Sequence, residues 1–265
     1  MTAAAPGDIQ ACAIVPVYNH AQRLAAVVAA LRAHRLPVVL VDDGSTDETG
    51  TLVAQLATAP GICALVHERN RGKGAAISSA LLWARAQGYS HALQVDADGQ
   101  HDLRDVPDLL AAARARPAAL VTGRPVFSAS VPRSRLYLRY LTHFWVWVNT
   151  LSVRVPDTMC GFRVYPVASG CALIEQGHIG PRMTFDVEIV VRHCWRGGEV
   201  ISLPTAVEYH QDGVSHFRLL EDNLRLTGMQ TRLFCGMLLR WPVLLWRNWH
   251  QPPPYRPSPR AGARP

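Results

Sequence analysis

The sequence predicts an α/β fold with a mostly parallel sheet flanked by helices. Short apolar runs suited to buried strands alternate with amphipathic stretches of helical period, and this alternation is typical of parallel strands joined by helices. Several of the runs end abruptly in Asp or Gly. Of the 265 residues, 49% are hydrophobic and 18% are charged, which indicates a folded globular chain.

The first strand–helix unit begins with an apolar run at 11–17. Leu24 and Leu31 share one face of the helix that follows, and Asn19 is expected to act as its N-cap. Gln22, three residues after Asn19, is the expected capping partner. These residues predict a buried strand followed by a helix packed on the sheet.

The second unit begins with a strand at 38–41, which ends in Asp42 and Asp43. Ser45 and Glu48 are expected to form a capping box for the next helix. Two strand-to-helix junctions in succession indicate that the strands run parallel. The two carboxylates are therefore expected at the edge where parallel strands end.

The third unit combines a strand at 62–66 with the turn Asn-Arg-Gly-Lys-Gly at 70–74 and an alanine-rich helix. Its glycines flank Lys73, which is the only lysine in the sequence. Such a turn at a helix N-terminus can bring backbone N–H groups and an ammonium to a phosphate, although an exposed helix start fits equally well.

A fourth strand, 93–95, ends in Asp96 and Asp98, which are one residue apart and leave the strand on the same side. This pair can supply half of the ligand shell of a hard cation such as Mg²⁺, with substrate phosphates supplying the rest. In isolation, a solvated turn explains it as well. A fifth strand, 119–122, ends at Arg124, and ligands of open α/β sheets bind beyond such strand ends.

The second half of the chain is richer in aromatic residues and arginine. A helix within 133–153 has an apolar stripe that includes Leu141 and Phe144, and it either packs in the core or lies at a membrane interface. A loop at 157–163 and a helix beginning near Asp186 follow. Asp186 can stabilise the helix dipole or act as a general base.

After this helix, 200–209 resembles an edge strand, and 210–215 resembles a mobile loop over a site. The stretch 219–250 is predicted to be helical, with Pro242 interrupting it. Its tryptophans and arginines favour an interfacial element. No apolar run reaches the roughly 20 residues of a membrane span.

Composition limits the possible partners. The net charge of +7 suits an anionic partner, which could be nucleic acid, a phosphorylated substrate or an anionic membrane surface. The six cysteines are scattered without zinc-site spacing, so free thiols in a reducing cytosol are expected. No secretory signal pattern is visible at the N-terminus.

Taken together, the motifs resemble family 2 glycosyltransferases, which are inverting enzymes of GT-A fold, and within them the dolichyl-phosphate mannosyltransferase-like, polyprenyl-phosphate branch. The motifs occur in the family's order over most of 11–217. They are the segments 14–19, 41–47, 70–74, 96–101, 157–163 and 185–188.

The resemblance implies transfer of a sugar from a nucleoside-diphosphate sugar to a lipid-linked or polyprenyl-phosphate acceptor, with Mg²⁺ or Mn²⁺ as cofactor. The metal would be held by Asp96, Asp98 and Gln100. Asp186 and Arg124 would be catalytic, although Phe185 replaces the Glu of the family's Glu-Asp base motif. The nucleotide-sugar would be bound by Pro16, Tyr18, Asn19, Asp42, Asp43, Lys73, Gly74, Asp96, Ala97 and Asp98. The acceptor or its phosphate would be bound by Arg135, Arg139, Arg163, Glu188, His210 and Ser215.

The resulting domain prediction has four parts: a flexible N-terminus at 1–10, a GT-A catalytic domain at 11–217, C-terminal amphipathic helices at 218–250 and a disordered tail at 251–265. The expected location is the cytoplasm, with peripheral contact to the inner face of the cell membrane through the Trp/Arg helices or with a protein partner there. The sequence does not indicate an oligomeric state.

Other function classes fit less well. A dinucleotide-dependent dehydrogenase requires a G-x-G-x-x-G turn after the first strand, and Pro-Val-Tyr-Asn stands there instead. Binding of nucleic acid would explain the charge, but carboxylates at strand ends would repel its phosphates. Two variants of the transferase remain open: transfer to a hydroxyl of a lipid, polysaccharide or secondary metabolite, and a non-catalytic relative that only binds nucleotide-sugars.

Overall fold

The computed structural model describes residues 8–126, 133–177, 179–207, 219–250 and 253–255, with the backbone alone for 133–138 and 219–223. The predicted roles of His210, Ser215 and the Arg135 side chain lie outside these residues. So do the predictions for 1–7 and for most of the tail.

The described residues form seven strands and nine α-helices. The strands are β1 Ala11–Val17, β2 Val38–Asp42, β3 Ile62–Val66, β4 His91–Gln94, β5 Leu120–Val126, β6 Arg163–Pro166 and β7 Val200–Ala206. The helices are α1 Leu24–Ala33, α2 Thr49–Leu56, α3 Lys73–Ala86, α4 Val106–Ala115, α5 Arg133–Thr150, α6 Val167–Glu175, α7 Phe185–Trp195, α8 Leu219–Leu238 and α9 Trp241–Trp249, with a 3-10 turn at Leu103–Asp105.

The strands form one sheet in the order β3-β2-β1-β4-β6-β5-β7. Pairing is parallel except at β6, which runs antiparallel to both β4 and β5. The α/β fold with a mostly parallel sheet is thereby confirmed, and β7 is the expected edge strand. The connectivity places the ends of β1, β2 and β4 at one edge, where ligands of open α/β sheets bind.

The sequence did not predict β6, because its four residues begin with Arg163 and end with Pro166 and show no clear period. Its direction matters for the site. Arg163 pairs with Gln94, which is the last residue of β4, and with Thr122 of β5. The start of β6 therefore reaches the same edge as Asp96.

Helices cover both faces of the sheet. One core lies under α1, α2 and α4, and the other lies under α3, α6 and α7 with contributions from α5 and α8. The predicted inner face of α1 is confirmed, since Leu24 and Leu31 are fully buried, and α3 buries Ile77 and Leu81 in the same way. Met229 and Leu233 of α8 are also buried, so this helix packs on the side of the sheet that α3, α6 and α7 cover.

Both predicted N-caps were wrong. Helix α1 begins at Leu24 and α2 at Thr49, with no cap from Asn19 or Ser45. Instead, Asn19 N–H donates to Ser45 Oγ at 3.0 Å, and Asn19 Oδ1 accepts from Thr46 N at 2.8 Å. These side chains tie together the loops after β1 and β2, which parallel pairing brings side by side.

Helix α5 presents its apolar stripe outward. Leu141 is 57% and Phe144 is 52% exposed, whereas His143, Val146 and Asn149 are buried. Of the two interpretations of this helix, core packing of the stripe does not hold. Asn149, on the polar-looking face, packs inward between neighbouring helices: its Nδ2 donates to Gln230 Oε1 of α8, and its backbone carbonyl accepts from Trp195 Nε1 of α7.

Candidate active site

The candidate active site lies beyond the carboxyl ends of β1, β2 and β4, where the first turns of α3 and α7 meet the start of β6. Lys73 is the first residue of α3, and Asp186 is in the first turn of α7. Helix α3 can begin there because Gly72 adopts φ 102°, a left-handed value that suits glycine. The glycines flanking the lysine thus set its position.

Asp96 is the most heavily paired carboxylate of the site. Lys73 Nζ lies 2.7 Å from Asp96 Oδ1, and His101 Nε2 lies 3.8 Å from Oδ2. Gln94 Nε2 donates to Oδ1 at 3.4 Å. Burial raises the pKa of Asp96, but the Lys73 charge and the His101 hydrogen bond outweigh it and hold the pKa well below its usual range. Asp96 is therefore ionised at neutral pH.

Asp186 lies between two cations. Its Oδ2 is 3.6 Å from Lys73 Nζ, and its Oδ1 is 3.3 Å from Arg163 Nη1. Burial lowers the pKa of Lys73, but Asp186 and Asp96 outweigh this and raise it above its ordinary value. Lys73 is therefore a permanent charge that bridges the two carboxylates.

Arg163 is fully buried behind the site, where it connects α7 to the loop before β6. Its Nη1 donates to the Asp186 carbonyl at 2.9 Å, and its Nη2 donates to the Thr158 carbonyl. Tyr165 stands beside it at 3.5 Å and donates to Gln94 Oε1 at 2.8 Å. A continuous hydrogen-bonded chain thus runs from α7 through β6 to Asp96.

Gln94, His101 and Tyr165 are site residues that were not assigned from the sequence. His101 stacks on Phe162, with ring centroids 5.3 Å apart, and its backbone forms a bridge with Val207 after β7. The position of His101 shortly after the Asp-x-Asp is the sequence feature that could have identified it. Nothing local marked Tyr165, because its role depends on the pairing of β6 with β4.

Asp98 and Gln100 face a groove of about 90 Å³ next to this cluster. Asp98 Oδ1 accepts the Gln100 N–H at 3.0 Å. Gly161 is required on the opposite wall, because a Cβ there would lie 2.2 Å from Asp96 Oδ2. The groove is lined by Asp96, Asp98, Gln100, His101, Pro125, Arg139, Met159, Cys160, Gly161 and Val207.

The side chains that line the groove supply only part of the ligands that a divalent metal needs. Asp96, Asp98 and Gln100 line the groove with oxygen-bearing side chains, as Mg²⁺ or Mn²⁺ requires. Among the described residues, no group of three or more His, Cys, Asp or Glu side chains could hold a metal. Two carboxylates and an amide match a half-shell that a substrate diphosphate completes.

Asp42 and Asp43 are buried, and their carboxylates bind the protein itself. Asp43 Oδ1 lies 2.6 Å from His67 Nδ1, and its Oδ2 accepts from Gly72 N at 2.6 Å. Asp42 Oδ1 accepts from Ser45 N at 2.9 Å. Asp43 therefore shapes the turn that precedes Lys73, while Asp42 shapes the loop after β2.

The remaining predicted nucleotide-binding residues lie near the same edge. Pro16 is in β1, in register with Val41, and Tyr18 and Asn19 follow the strand half-buried. Gly74 is buried against Phe185, and Ala97 is buried between the two aspartates. Their contacts with a nucleotide remain predictions.

Arg139 approaches the groove from α5. Its Nε lies 2.5 Å from Asp157 Oδ2, and His143 Nε2 lies 3.3 Å from the same oxygen. Burial raises the pKa of Asp157, but the His143 hydrogen bond and the Arg139 charge outweigh it, so that its pKa falls below the ordinary value. Arg139 is thus the predicted acceptor arginine that the structure places at the groove.

Two other predicted residues are not among those that line the groove. Arg124 was expected at the end of a strand, but β5 continues to Val126, and Arg124 is exposed within it, opposite Pro204 of β7. Glu188 is fully buried and accepts from Arg232 of α8 at 2.8 Å. In the part of the chain that the structure describes, the ion pairs of Glu188 are with Arg192 and Arg232 and not with the Asp96 cluster.

The fold and the site together define the class: a GT-A sheet with carboxylates, a lysine and an arginine at its carboxyl edge is that of a glycosyltransferase. The chain belongs to glycosyltransferase family 2, because the model of that family, described as "Glycosyl transferase family 2", matches residues 12–175. The expectation drawn from the motifs is thereby confirmed.

The chain resembles enzymes of polyprenyl-phosphate sugar transfer. It is 29% identical to a polyprenol monophosphomannose synthase of Mycolicibacterium smegmatis over 76% of this chain and 78% of that protein. It is 30% identical to a dolichyl-phosphate beta-glucosyltransferase of Dictyostelium discoideum, over 58% of this chain and 49% of that protein. The chain thus spans about half the length of the latter relative.

Solved structures confirm the fold. Glucosyl-3-phosphoglycerate synthase from Mycobacterium tuberculosis, in complex with Mn²⁺, UDP-glucose and phosphoglyceric acid, matches with a TM-score of 0.62 at 16% identity. The match covers 88% of this chain and 79% of that one. At this identity the likeness establishes the GT-A architecture alone.

Proposed function

We propose that this glycosyltransferase moves a hexose from a nucleoside-diphosphate sugar to a polyprenyl-phosphate acceptor with inversion, using Mg²⁺ or Mn²⁺. The observation that carries the proposal is the convergence of Asp96 and Asp98 with Lys73 and Asp186 beside one groove. The names of the similar mannose and glucose transferases support a lipid-phosphate acceptor.

The residues of the groove would act mainly on the leaving diphosphate. A metal held by Asp98 and Gln100, with Asp96 at its side, would neutralise charge that develops there as the sugar bond breaks. Lys73 is positioned by two carboxylates, so its ammonium would need little reorganisation to face a phosphate. In-line attack inverts the sugar carbon and requires no covalent nucleophile from the protein.

Asp186 has a different proposed role from that of a strong base. A phosphate acceptor is already ionised at neutral pH, so its attack hardly requires a general base. Asp186 would then hold Lys73 and the start of α7 in place through its contacts with Lys73 and Arg163. Arg139 would receive the acceptor phosphate, since it lines the groove from the α5 side.

A thermal-shift panel tests donor binding. We expect at least one of UDP, GDP or dTDP, or its sugar conjugates, to raise the melting temperature with MnCl₂ and to raise it less with EDTA. Transfer to undecaprenyl phosphate is then assayed with the best donor. If no nucleotide shifts the melting temperature, the proposed function is contradicted. Transfer to neutral lipid alcohols instead of lipid phosphates would contradict the proposed polyprenyl-phosphate acceptor.

We also propose peripheral contact with the cytoplasmic face of a membrane. Among the described residues, no helix is long and apolar enough to cross a bilayer. However, Trp241, Trp246 and Trp249 of α9 are 52%, 63% and 87% exposed, and Leu141 and Phe144 of α5 are also exposed. Exposed tryptophans beside arginines favour headgroup depth, and the net charge of +7 favours anionic lipid.

Vesicle co-sedimentation tests this contact. We expect the chain to bind phosphatidylglycerol vesicles, and the double variant Trp246→Ser, Trp249→Ser to bind at least about tenfold more weakly, because two interfacial rings are lost. Trp83→Ser is the matched control, since Trp83 stacks on Tyr89 within the protein. Equal binding by the double variant would rule out α9 as the contact.

A further inference from the structure

A buried carboxylate connects the C-terminal helix α8 to the catalytic body. Glu188 Oε1 accepts from Arg232 Nη2 at 2.8 Å, and its Oε2 accepts the backbone N–H of Gly180. Arg192 Nη2 is farther away, at 3.8 Å from Oε1. Because Glu188 is fully buried, losing its close cation would leave a poorly compensated charge. Arg232 therefore fixes the carboxylate that holds Gly180.

The Gly180 turn packs on the first turn of α3. Pro181 O accepts from Ala75 N at 2.8 Å and thereby satisfies one of the N–H groups that a helix leaves unpaired at its start. The fit is tight, because a Cβ on Gly74 would lie 2.9 Å from Gly180 O, and one on Gly72 would lie 2.7 Å from Pro181 O. Any shift of the Gly180 turn must therefore move the turn that carries Lys73.

Lys73 lies between these two glycines and reaches Asp96 at 2.7 Å and Asp186 at 3.6 Å. We propose that Arg232 is a positioning residue for the donor site, acting through Glu188 and the Gly180 turn on Lys73. The effect on donor binding rests on the proposed function, in which Lys73 faces the donor diphosphate. The inference gives Glu188 a role other than the acceptor binding expected from the sequence.

Hydrogen exchange tests the structural connection without a nucleotide. In Arg232→Gln, we expect the amide protons of Gly180 and Ala75 to exchange about tenfold faster than in the wild type, since a hydrogen bond to a charged group is lost. Arg240→Gln is the matched control: Arg240, in the turn between α8 and α9, also contacts the end of α7, over the Trp195 ring at 4.8 Å, but it forms no ion pair with Glu188. Unchanged protection in Arg232→Gln would overturn the proposal.

Calorimetric titration of UDP and of GDP, each with MnCl₂, tests the effect on the donor site. We expect Arg232→Gln to raise the Kd of the nucleotide that the wild type binds by about tenfold, Arg232→Lys to restore most of the affinity, and Arg240→Gln to change it little. Glu188→Gln replaces Arg232→Gln if the latter does not fold, and the same weakening is expected.

The outcomes separate the two proposals. If the wild type binds neither nucleotide, the proposed function fails, while the exchange experiment still decides whether Arg232 holds the Gly180 turn. If the wild type binds but Arg232→Gln binds equally well, Arg232 does not position the donor site. Weakening by Arg240→Gln to the same extent would also overturn the proposal, because general loosening of α8 would then explain the effect.

Discussion

Asp98→Asn is expected to lower sugar transfer at saturating donor and Mn²⁺ by about 10²- to 10³-fold, because a carboxylate that holds charge at the leaving diphosphate is lost. The asparagine oxygen can still accept the Gln100 N–H, a bond that is 3.0 Å long in the wild type. The loop should therefore keep its shape, and the melting temperature should change little.

Turnover is measured against Mn²⁺ concentration, and the apparent affinity for the metal should fall together with the rate. Glu175→Gln is the control, since it removes one negative charge from an exposed pair with Arg85. If Asp98→Asn retains wild-type turnover and metal dependence, the metal is not held at this edge of the sheet.

Asp98 is a sharper target than Asp96. Lys73 Nζ lies 2.7 Å from Asp96, so loss of the Asp96 carboxylate would also release Lys73. The effect on the metal could then not be separated from the effect on Lys73. The described contacts of Asp98 include no such cation, only the Gln100 amide. Asp98 therefore isolates the contribution of the metal-facing carboxylate.

Arg163→Met is expected to lower the free energy of unfolding by about 3–5 kcal/mol, the usual cost of removing one partner of a buried ion pair. Arg163 is fully buried and donates to the carbonyls of Asp186 and Thr158. Without it, two buried carbonyls lose their donor, and among the described residues Lys73, at 3.6 Å, is the one cation that Asp186 keeps.

Urea denaturation measures the change. Arg104→Met is the matched control, because Arg104 forms an exposed pair with Asp102, and its loss should cost at most about 1 kcal/mol. If Arg163→Met also lowers the free energy of unfolding by less than about 1 kcal/mol, the Arg163 guanidinium does not hold the site together. Activity should fall too, since Arg163 supports both Asp186 and the chain through Tyr165 to Asp96.

The amino-acid sequence alone predicted the sheet, most of its strands and the edge where the polar residues gather. Strands such as β1 and β2 are continuous apolar runs buried on both faces, and their length and boundaries are local properties. Asp42, Asp96 and Asp98 follow such runs directly, and parallel pairing then brings them to one edge. The order of the motifs predicted the family, which the family model confirms.

The sequence could not predict which partners the side chains of this edge would choose. Asn19 and Ser45 matched capping patterns, but they join two loops, because the pairing of β1 with β2 brings those loops together. Asp43 was expected at the nucleotide, yet its carboxylate is bound to His67 and the Gly72 amide. Local patterns report which residues can cap or bind, and tertiary pairing decides which of them do.

The tertiary structure alone also decided strand direction and helix orientation. The antiparallel course of β6 brings Arg163 and Tyr165 behind Asp96, and a four-residue segment contains no signal of its direction. Helix α5 has an apolar and a polar-looking face, and Asn149 on the polar-looking face is buried, where its side-chain amide donates to Gln230 of α8 and its backbone carbonyl accepts from Trp195 of α7. Periodicity shows that two faces exist, and only the neighbouring elements determine which one is buried.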